Sequence, residues 1–262
     1  MQSPRIVLMA DYRPGLAIAK YLKERGERIV ALVHHPARRE AHLNRGCTQQ
    51  IIALVDFPQE RVFNWDDVRS RKRLEELRAL EPDILLTMFC CGILPPEIIA
   101  VAKQCCINMH LAYLPYNRGK NPNAWAIAEG TPAGVTMHYI DPGIDTGDII
   151  AQTEVPVTSV DTAGSLYFKL EDASIQLFTD TWPKILDGTA PRVPQDGTKA
   201  TFRYAREFSD LDVIDLDRAY TGRDLINRLR ARTFPPHPSA YFIDGQGRKV
   251  YVRVQLEYGA DD

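Results

Sequence analysis

Short apolar runs alternate with longer amphipathic stretches through the first two-thirds of the chain. RIVLMA (5–10) and RIVALV (28–33) predict buried strands, with a helical spacing of apolar positions from Pro14 to Arg25 between them. A second helical pattern covers Asp66 to Leu80, rich in Arg, Glu and Leu, and leads into the strand PDILLTMF (82–89). PPEIIAVAK (95–103) opens with prolines, as the first turn of a helix does. CCINMH (105–110), AGVTMHYI (133–140) and IIAQTEVP (149–156) predict further strands, and 162–186 predicts a long helix. Strands alternating with helices imply βαβ units and a mostly parallel sheet.

The pattern changes after residue 187. Residues 188–202 (GTAPRVPQDGTKATF) are rich in Pro, Gly and Thr and predict a linker. A small module follows, with a helix near 221–231. After it, AYFID and RKVYVRVQL alternate on either side of GQG and predict a β-hairpin. The expected organisation is a catalytic domain over 1–187, a linker over 188–202 and a small C-terminal module over 203–262.

At 262 residues the chain can bury roughly 70–75% of its unfolded surface, so it needs neither disulfides nor a structural metal. A net charge of −2 gives no sign of a nucleic-acid or membrane-surface partner. The five cysteines, Cys47, Cys90, Cys91, Cys105 and Cys106, form no C-x-x-C and no secretory framework; buried thiols in a reducing cytosol are the expectation. There is no signal-like N-terminus and no run of about 18 apolar residues, so a cytoplasmic protein is expected. His34, His35 and His42 lack partners at metal spacing and are expected at the surface.

Three polar clusters fall at predicted carboxyl ends of strands, where open parallel sheets bind ligands. They are FCCGILP (89–95), NMHLAYLPYNRGKNPN (108–123) and DPGIDTGD (141–148). Asn108 and His110 stand two apart on one strand, so both side chains leave on the same side. An amide donor beside an imidazole suits an oxyanion next to a proton acceptor. Asp145, in a glycine-flanked loop, is placed to fix the imidazole tautomer. Each residue also has a plainer reading: a structural histidine, a turn-capping asparagine and an Asx-turn aspartate. The hydrolase elbow, the dinucleotide glycine motif and the phosphate loop are all missing, and Gly119-Lys120 lacks the first glycine of the last.

Asn108-Met109-His110, then LPYNRG, GVTMHYID and DTGD, in this order and at this spacing, resemble the folate-dependent formyltransferase family, most of all its nucleotide-sugar N-formyltransferases. The resemblance implies a Rossmann-like α/β fold, with helices on both faces of a mostly parallel sheet and a small C-terminal module with a β-hairpin. It implies 10-formyltetrahydrofolate as cosubstrate, no metal, and Asn108, His110 and Asp145 as catalytic residues. Cofactor contacts fall on Cys91, Gly92, Ile93, Leu94, His138, Asp141 and Ile144. Substrate contacts are expected at Arg118, Lys120, Asn121, Asn123, Arg232, Phe234 and Tyr241.

The acceptor implied is a nucleotide-linked amino deoxysugar of surface-glycan (lipopolysaccharide) biosynthesis. No nucleic acid and no membrane is expected as partner, and a homodimer is allowed. Alternatives are methionyl-tRNA formylation, folate binding without turnover and formyltetrahydrofolate hydrolysis. The usual N-terminal regulatory domain of the hydrolase has no counterpart in this sequence. Residues 201–262 hold ten Lys plus Arg and ten Asp plus Glu, a balance that disfavours a tRNA.

Overall fold

The computed structural model describes residues 3–35, 47–90 and 92–260. The chain divides into two compact units, one formed by 1–110, 136–152 and 174–195, the other by 111–135, 153–173 and 196–262. The division differs from a single cut near residue 187. Half of the expected linker, up to Gln195, belongs to the first unit, and Val193 exchanges backbone hydrogen bonds with Ile149 (2.8 and 2.9 Å).

The first unit is built around a seven-stranded sheet. In chain order the elements are β1 (Ile6–Ala10), α1 (Tyr12–Glu24), β2 (Ile29–His34), α2 (Thr48–Val55), β3 (Val62–Asn64), α3 (Trp65–Val68), α4 (Arg71–Ala79), β4 (Ile84–Met88), α5 (Pro96–Ile99) and β5 (Cys105–His110). Then come β6 (Arg118–Gly119) and α6 (Pro122–Glu129), which belong to the second unit, followed by β7 (Gly134–Tyr139), β8 (Ile149–Glu154) and α7 (Ala163–Leu186). The sheet order is β3-β2-β1-β4-β5-β7-β8. Strands β3 to β5 pair in parallel, while β5 and β7 run antiparallel.

All five residues of β1 and all five of β4 are buried, which is why these central strands read as unbroken apolar runs rather than alternating ones. Helix α1 buries Pro14, Gly15, Ile18, Ala19 and Leu22, one stripe at helical spacing. Asp11 caps it, accepting from the Tyr12 N–H (2.7 Å) and the Cys47 N–H (2.9 Å). A Cβ on Gly15 would stand 3.1 Å from the Met88 carbonyl oxygen, so glycine lets this helix lie close on the sheet.

Several elements differ from their sequence patterns. The helix expected over 66–80 is two helices, because Ser70 takes extended backbone and accepts from the Arg73 N–H to start a new one. Only one turn of the 95–103 pattern is helical. Helix α6 starts at the end of the polar stretch 108–123 and runs on past it, entered through Asn121 in the left-handed region (φ +56°) and Pro122. His34 is half-buried and His35 is buried with the Tyr12 ring edge-on at 6.3 Å, so neither is a surface residue. His42 lies outside the described residues.

The second unit carries two two-stranded sheets. In one, β6 pairs with β9 (Phe202–Arg203); the other is the expected hairpin of β10 (Ala240–Ile243) and β11 (Lys249–Val252). Helix α8 (Gly222–Ala231) is anchored by Arg230, whose guanidinium donates to the carbonyls of Asp161 (2.7 Å) and Thr158 (2.6 Å). The buried Asp161 side chain accepts from the Thr158 N–H and hydroxyl, the Ser165 hydroxyl and the Lys169 ammonium, all at 2.7–2.8 Å. Burial pushes its carboxyl up, but these four donors outweigh it and hold the pKa at about 2.

A carboxyl lowered on folding stabilises the protein fully above its unfolded pKa near ~3.9, and that stability is lost as pH falls towards its folded value. Asp161 is therefore expected to contribute about 2 kcal/mol at neutral pH that disappears between roughly pH 4 and 2. Comparing acid unfolding of the native protein and Asp161→Asn checks this. The variant should be less stable at pH 7, and the difference should narrow in that window.

Candidate active site

The carboxyl end of β5 is held against β7 in a fixed antiparallel register that places Asn108 opposite His138 and His110 opposite Thr136. Each pair of residues stands two apart on its strand, so all four side chains leave the same face as a compact square. This register converts N-x-H on one strand and T-x-H on the other into a single cluster.

Within the square, the Asn108 amide nitrogen lies 3.0 Å from His138 Nε2 and 3.4 Å from Asp145 Oδ1. His138 Nδ1 lies 2.8 Å from the Tyr139 carbonyl oxygen. A carbonyl only accepts, so Nδ1 carries the proton, and Nε2 of the neutral ring accepts from Asn108. The Asn108 amide is thereby turned with its NH₂ towards His138 and Asp145. Asp145 Oδ2 stands 3.7 Å from His110 Nε2, and its Oδ1 3.5 Å from His138 Nε2. One carboxylate thus faces both imidazoles and the amide.

The loop that delivers Asp145 is built by its own short residues. Asp141 Oδ1 accepts from the Gly143 N–H (3.0 Å) and the Thr146 hydroxyl (2.5 Å), closing an Asx turn. The Tyr139 N–H donates to the Asp148 carbonyl at 2.9 Å. A Cβ on Gly147 would sit 1.9 Å from the Tyr139 carbonyl oxygen, a distance no side chain tolerates. Asp145 itself has φ +53°, in the left-handed region that aspartate enters more readily than most residues. The glycine at 147 and the aspartate at 141 therefore serve the placement of the aspartate between them.

At the carboxyl end of β4, Leu94 is buried and Ile93 is 64% exposed, while a Cβ on Gly92 would meet the Trp65 indole nitrogen at 4.0 Å, an ordinary contact distance. An exposed aliphatic side chain beside accessible backbone suits a flat heteroaromatic ring. Cys91 lies outside the described residues. Burial, with Cys105 beside it, pushes the Cys106 thiol up to about 12, and burial also raises Cys105. Cys90 donates to the Val33 carbonyl. Among the described residues no group of three or more His, Cys, Asp or Glu is placed to hold a metal ion.

Two expected cofactor contacts have inward-facing duties. His138 is 2% exposed and engaged with Asn108, and the Asp141 carboxylate is occupied in closing its own loop. Ile144 is half-buried in the same loop.

All seven expected substrate contacts lie in the second unit. Lys120 is exposed and Arg118 half-buried, with their backbone N–H groups donating to Arg203 and Thr201. Asn121 is the left-handed residue that opens α6. Asn123 is buried, donating to the Ala163 carbonyl at 2.9 Å. Arg232 is buried against Asp212 (2.5 Å) and over the Phe208 ring (4.2 Å). Their polar groups are committed to internal contacts, so Asn123 and Arg232 hold the unit together. Phe234 packs with Tyr167, Phe168 and His237, and Tyr241 pairs with Tyr251 across the hairpin. Sequence reasoning missed Gln195, whose side-chain amide donates to the carbonyls of Asp145 (2.9 Å) and Gly147 (2.7 Å). Its Pro- and Gly-rich surroundings signalled a linker and hid it.

The chain belongs to the formyl transferase family: residues 14–181 match that family's model, and 207–258 match the N-formyltransferase dimerization C-terminal domain. It is 37% identical, over 67% of its length and 74% of the relative's, to dTDP-4-amino-4,6-dideoxyglucose formyltransferase of Mycobacterium tuberculosis. It is 32% identical, over 90% of its length and 73% of the relative's, to the methionyl-tRNA formyltransferase of a Geobacillus species. Among solved structures it resembles a 4-N formyltransferase from Francisella tularensis, with TM-score 0.80, 27% identity, and coverage of 97% of this chain and 98% of that one. The protein is a formyltransferase.

Proposed function

We propose that this protein transfers the formyl group of 10-formyltetrahydrofolate to the amino group of a nucleotide-linked amino deoxysugar, for surface-glycan biosynthesis such as that of lipopolysaccharide. The observation that carries the reaction is the convergence of Asn108, His110 and Asp145 on one face, with contacts of 3.4–3.7 Å. The amine attacks the formyl carbon, a new C–N bond forms, and negative charge gathers on the formyl oxygen. Asn108 stabilises that oxygen by turning towards it the amide hydrogen that faces Asp145 (N to Oδ1, 3.4 Å), and His110 joins it once the ring is protonated. His110 takes the proton the amine must lose, and Asp145 facing its ring stabilises the imidazolium. Collapse breaks the bond from carbon to N10, and the proton returns to that nitrogen.

The donor fits the carboxyl end of β4, where Ile93 offers exposed apolar surface and Gly92 carries no side chain to cover its backbone. A solved relative from Anoxybacillus kamchatkensis, 26% identical with TM-score 0.58 over 87% of this chain and 98% of that one, is described in complex with tetrahydrofolate and a UDP-linked formamido sugar. The sugar acceptor is supported by the 37% identity to a dTDP-amino sugar formyltransferase. The likeness to methionyl-tRNA formyltransferases favours a second reading. The ten-to-ten charge balance of residues 201–262 speaks against it. We also take the hairpin module to join two copies, because its match is to a dimerization domain and it exposes Leu216, Ile243 and Tyr251.

The test is a panel of dTDP- and UDP-linked amino sugars incubated with enzyme and 10-formyltetrahydrofolate, read by mass spectrometry. A formylated product from at least one is expected. Formylation of none of them, with formylation of charged initiator tRNA instead, overturns the acceptor.

A further inference from the structure

The segment after helix α7 is a strap across the loop that carries Asp145, and the geometry points to Gln195 as the positioning residue that holds this carboxylate in its working place. The inference rests on the reading of Asp145 as part of the reaction centre. It assigns a role in the reaction to a residue far along the chain from the motifs.

Three successive contacts dock the strap. Arg192 pairs with Asp148 (2.9 Å) and lies over the Tyr139 ring at 4.2 Å, but its side chain is 63% exposed, so this pair adds little. Val193 and Ile149 exchange two backbone hydrogen bonds, the smallest unit of a β-ladder. Gln195 then donates both hydrogens of its amide nitrogen, one to the Asp145 carbonyl at 2.9 Å and one to the Gly147 carbonyl at 2.7 Å. Two carbonyls pointing at one spot repel each other unless a double donor sits between them. A primary amide is the neutral side chain that supplies two such hydrogens from one atom.

Those two peptide units flank the residues that set the Asp145 side-chain direction. Asp145 is held at φ +53°, a backbone conformation that costs a non-glycine residue free energy, so relaxation out of that region is the motion the strap opposes. Loss of Gln195 removes the two hydrogen bonds that draw the 145 and 147 carbonyls together, and outward rotation of those peptides would carry the carboxylate off His110 and Asn108. A misplacement of about 1 Å in a catalytic group can cost on the order of 10²-fold in rate.

The test compares Gln195→Ala and Gln195→Glu with Asp145→Asn and the native enzyme. Glutamate keeps the shape of glutamine, but when ionised it offers no hydrogen and faces two carbonyls. The measurements are kcat and KM for donor and acceptor, thermal unfolding, and hydrogen–deuterium exchange over residues 141–148. For both Gln195 variants kcat should fall about 10–100-fold with each KM within about threefold. Exchange in 141–148 should rise at least about tenfold while the rest of the protein keeps its protection. The exchange measurement needs no acceptor, and unchanged exchange in both variants overturns the inference whatever the enzyme formylates. An inactive Asp145→Asn beside a Gln195→Glu of native kcat overturns it while leaving the reaction centre standing. An Asp145→Asn of native kcat sinks the reaction-centre reading itself. Equal loss of stability and of both KM values, with exchange raised everywhere, shows a structural role and overturns it too.

Discussion

Replacing His110 with alanine is expected to lower kcat by about 10²–10⁴, the usual worth of a positioned general acid–base group. The ring is 11% exposed at the end of β5, and its Nε2 faces the Asp145 carboxylate at 3.7 Å. Alanine removes the proton acceptor and one of the two donors to the developing oxyanion, while leaving the strand and its register intact. Asn108→Ala should cost about 10²–10³, the loss seen when one oxyanion donor is removed. The double variant should lose less than the sum, because both groups serve the same charge. Steady-state kinetics with saturating amine, beside thermal unfolding curves that match the native protein, check the expectation. A His110→Ala enzyme with near-native kcat would remove the imidazole from the chemistry.

The second large effect separates the two acceptors. A nucleotide diphosphate brings few charges, so KM for an amino-sugar nucleotide should change only mildly between 50 and 200 mM salt. A tRNA held through 6–10 phosphates would lose about 10³–10⁵ in affinity over the same range, because each neutralised phosphate releases counterions. Residues 201–262 carry no surplus of positive charge with which to neutralise those phosphates. Initial rates for the best sugar nucleotide and for charged initiator tRNA, each across the salt range, decide between them. Efficient tRNA formylation with a steep slope, and no sugar turnover, would reverse the choice of acceptor.

The sheet and the reaction centre were legible in the sequence for different reasons. Strands β1 and β4, and the centre of β2, announced themselves because a strand buried on both faces has to be apolar throughout; β5 opens in the same way. Asn108 and His110 stood out because polar residues two apart at the end of such a strand share one face and interrupt its pattern. The four linked motifs then resembled a family, and the match over 14–181 shows that family. Helix α6 was hidden, because Asn, Pro and Gly around Trp125 signal a turn, whereas Pro at the first helical position is also a normal helix start.

What the sequence determined by itself is therefore the mostly parallel α/β sheet, the strand end that bears Asn108 and His110, and the C-terminal β-hairpin. Each follows from local periodicity and side-chain chemistry, which neighbouring residues carry. The tertiary structure decided which partners those residues meet. The antiparallel register of β5 and β7 turned His138 onto Asn108, the Tyr139 carbonyl set its tautomer, and a strap some fifty residues beyond Asp145 brought Gln195 to that loop. Those are long-range backbone pairings. A strand's pattern states which face is buried, but it does not state which strand lies beside it or in which direction that neighbour runs.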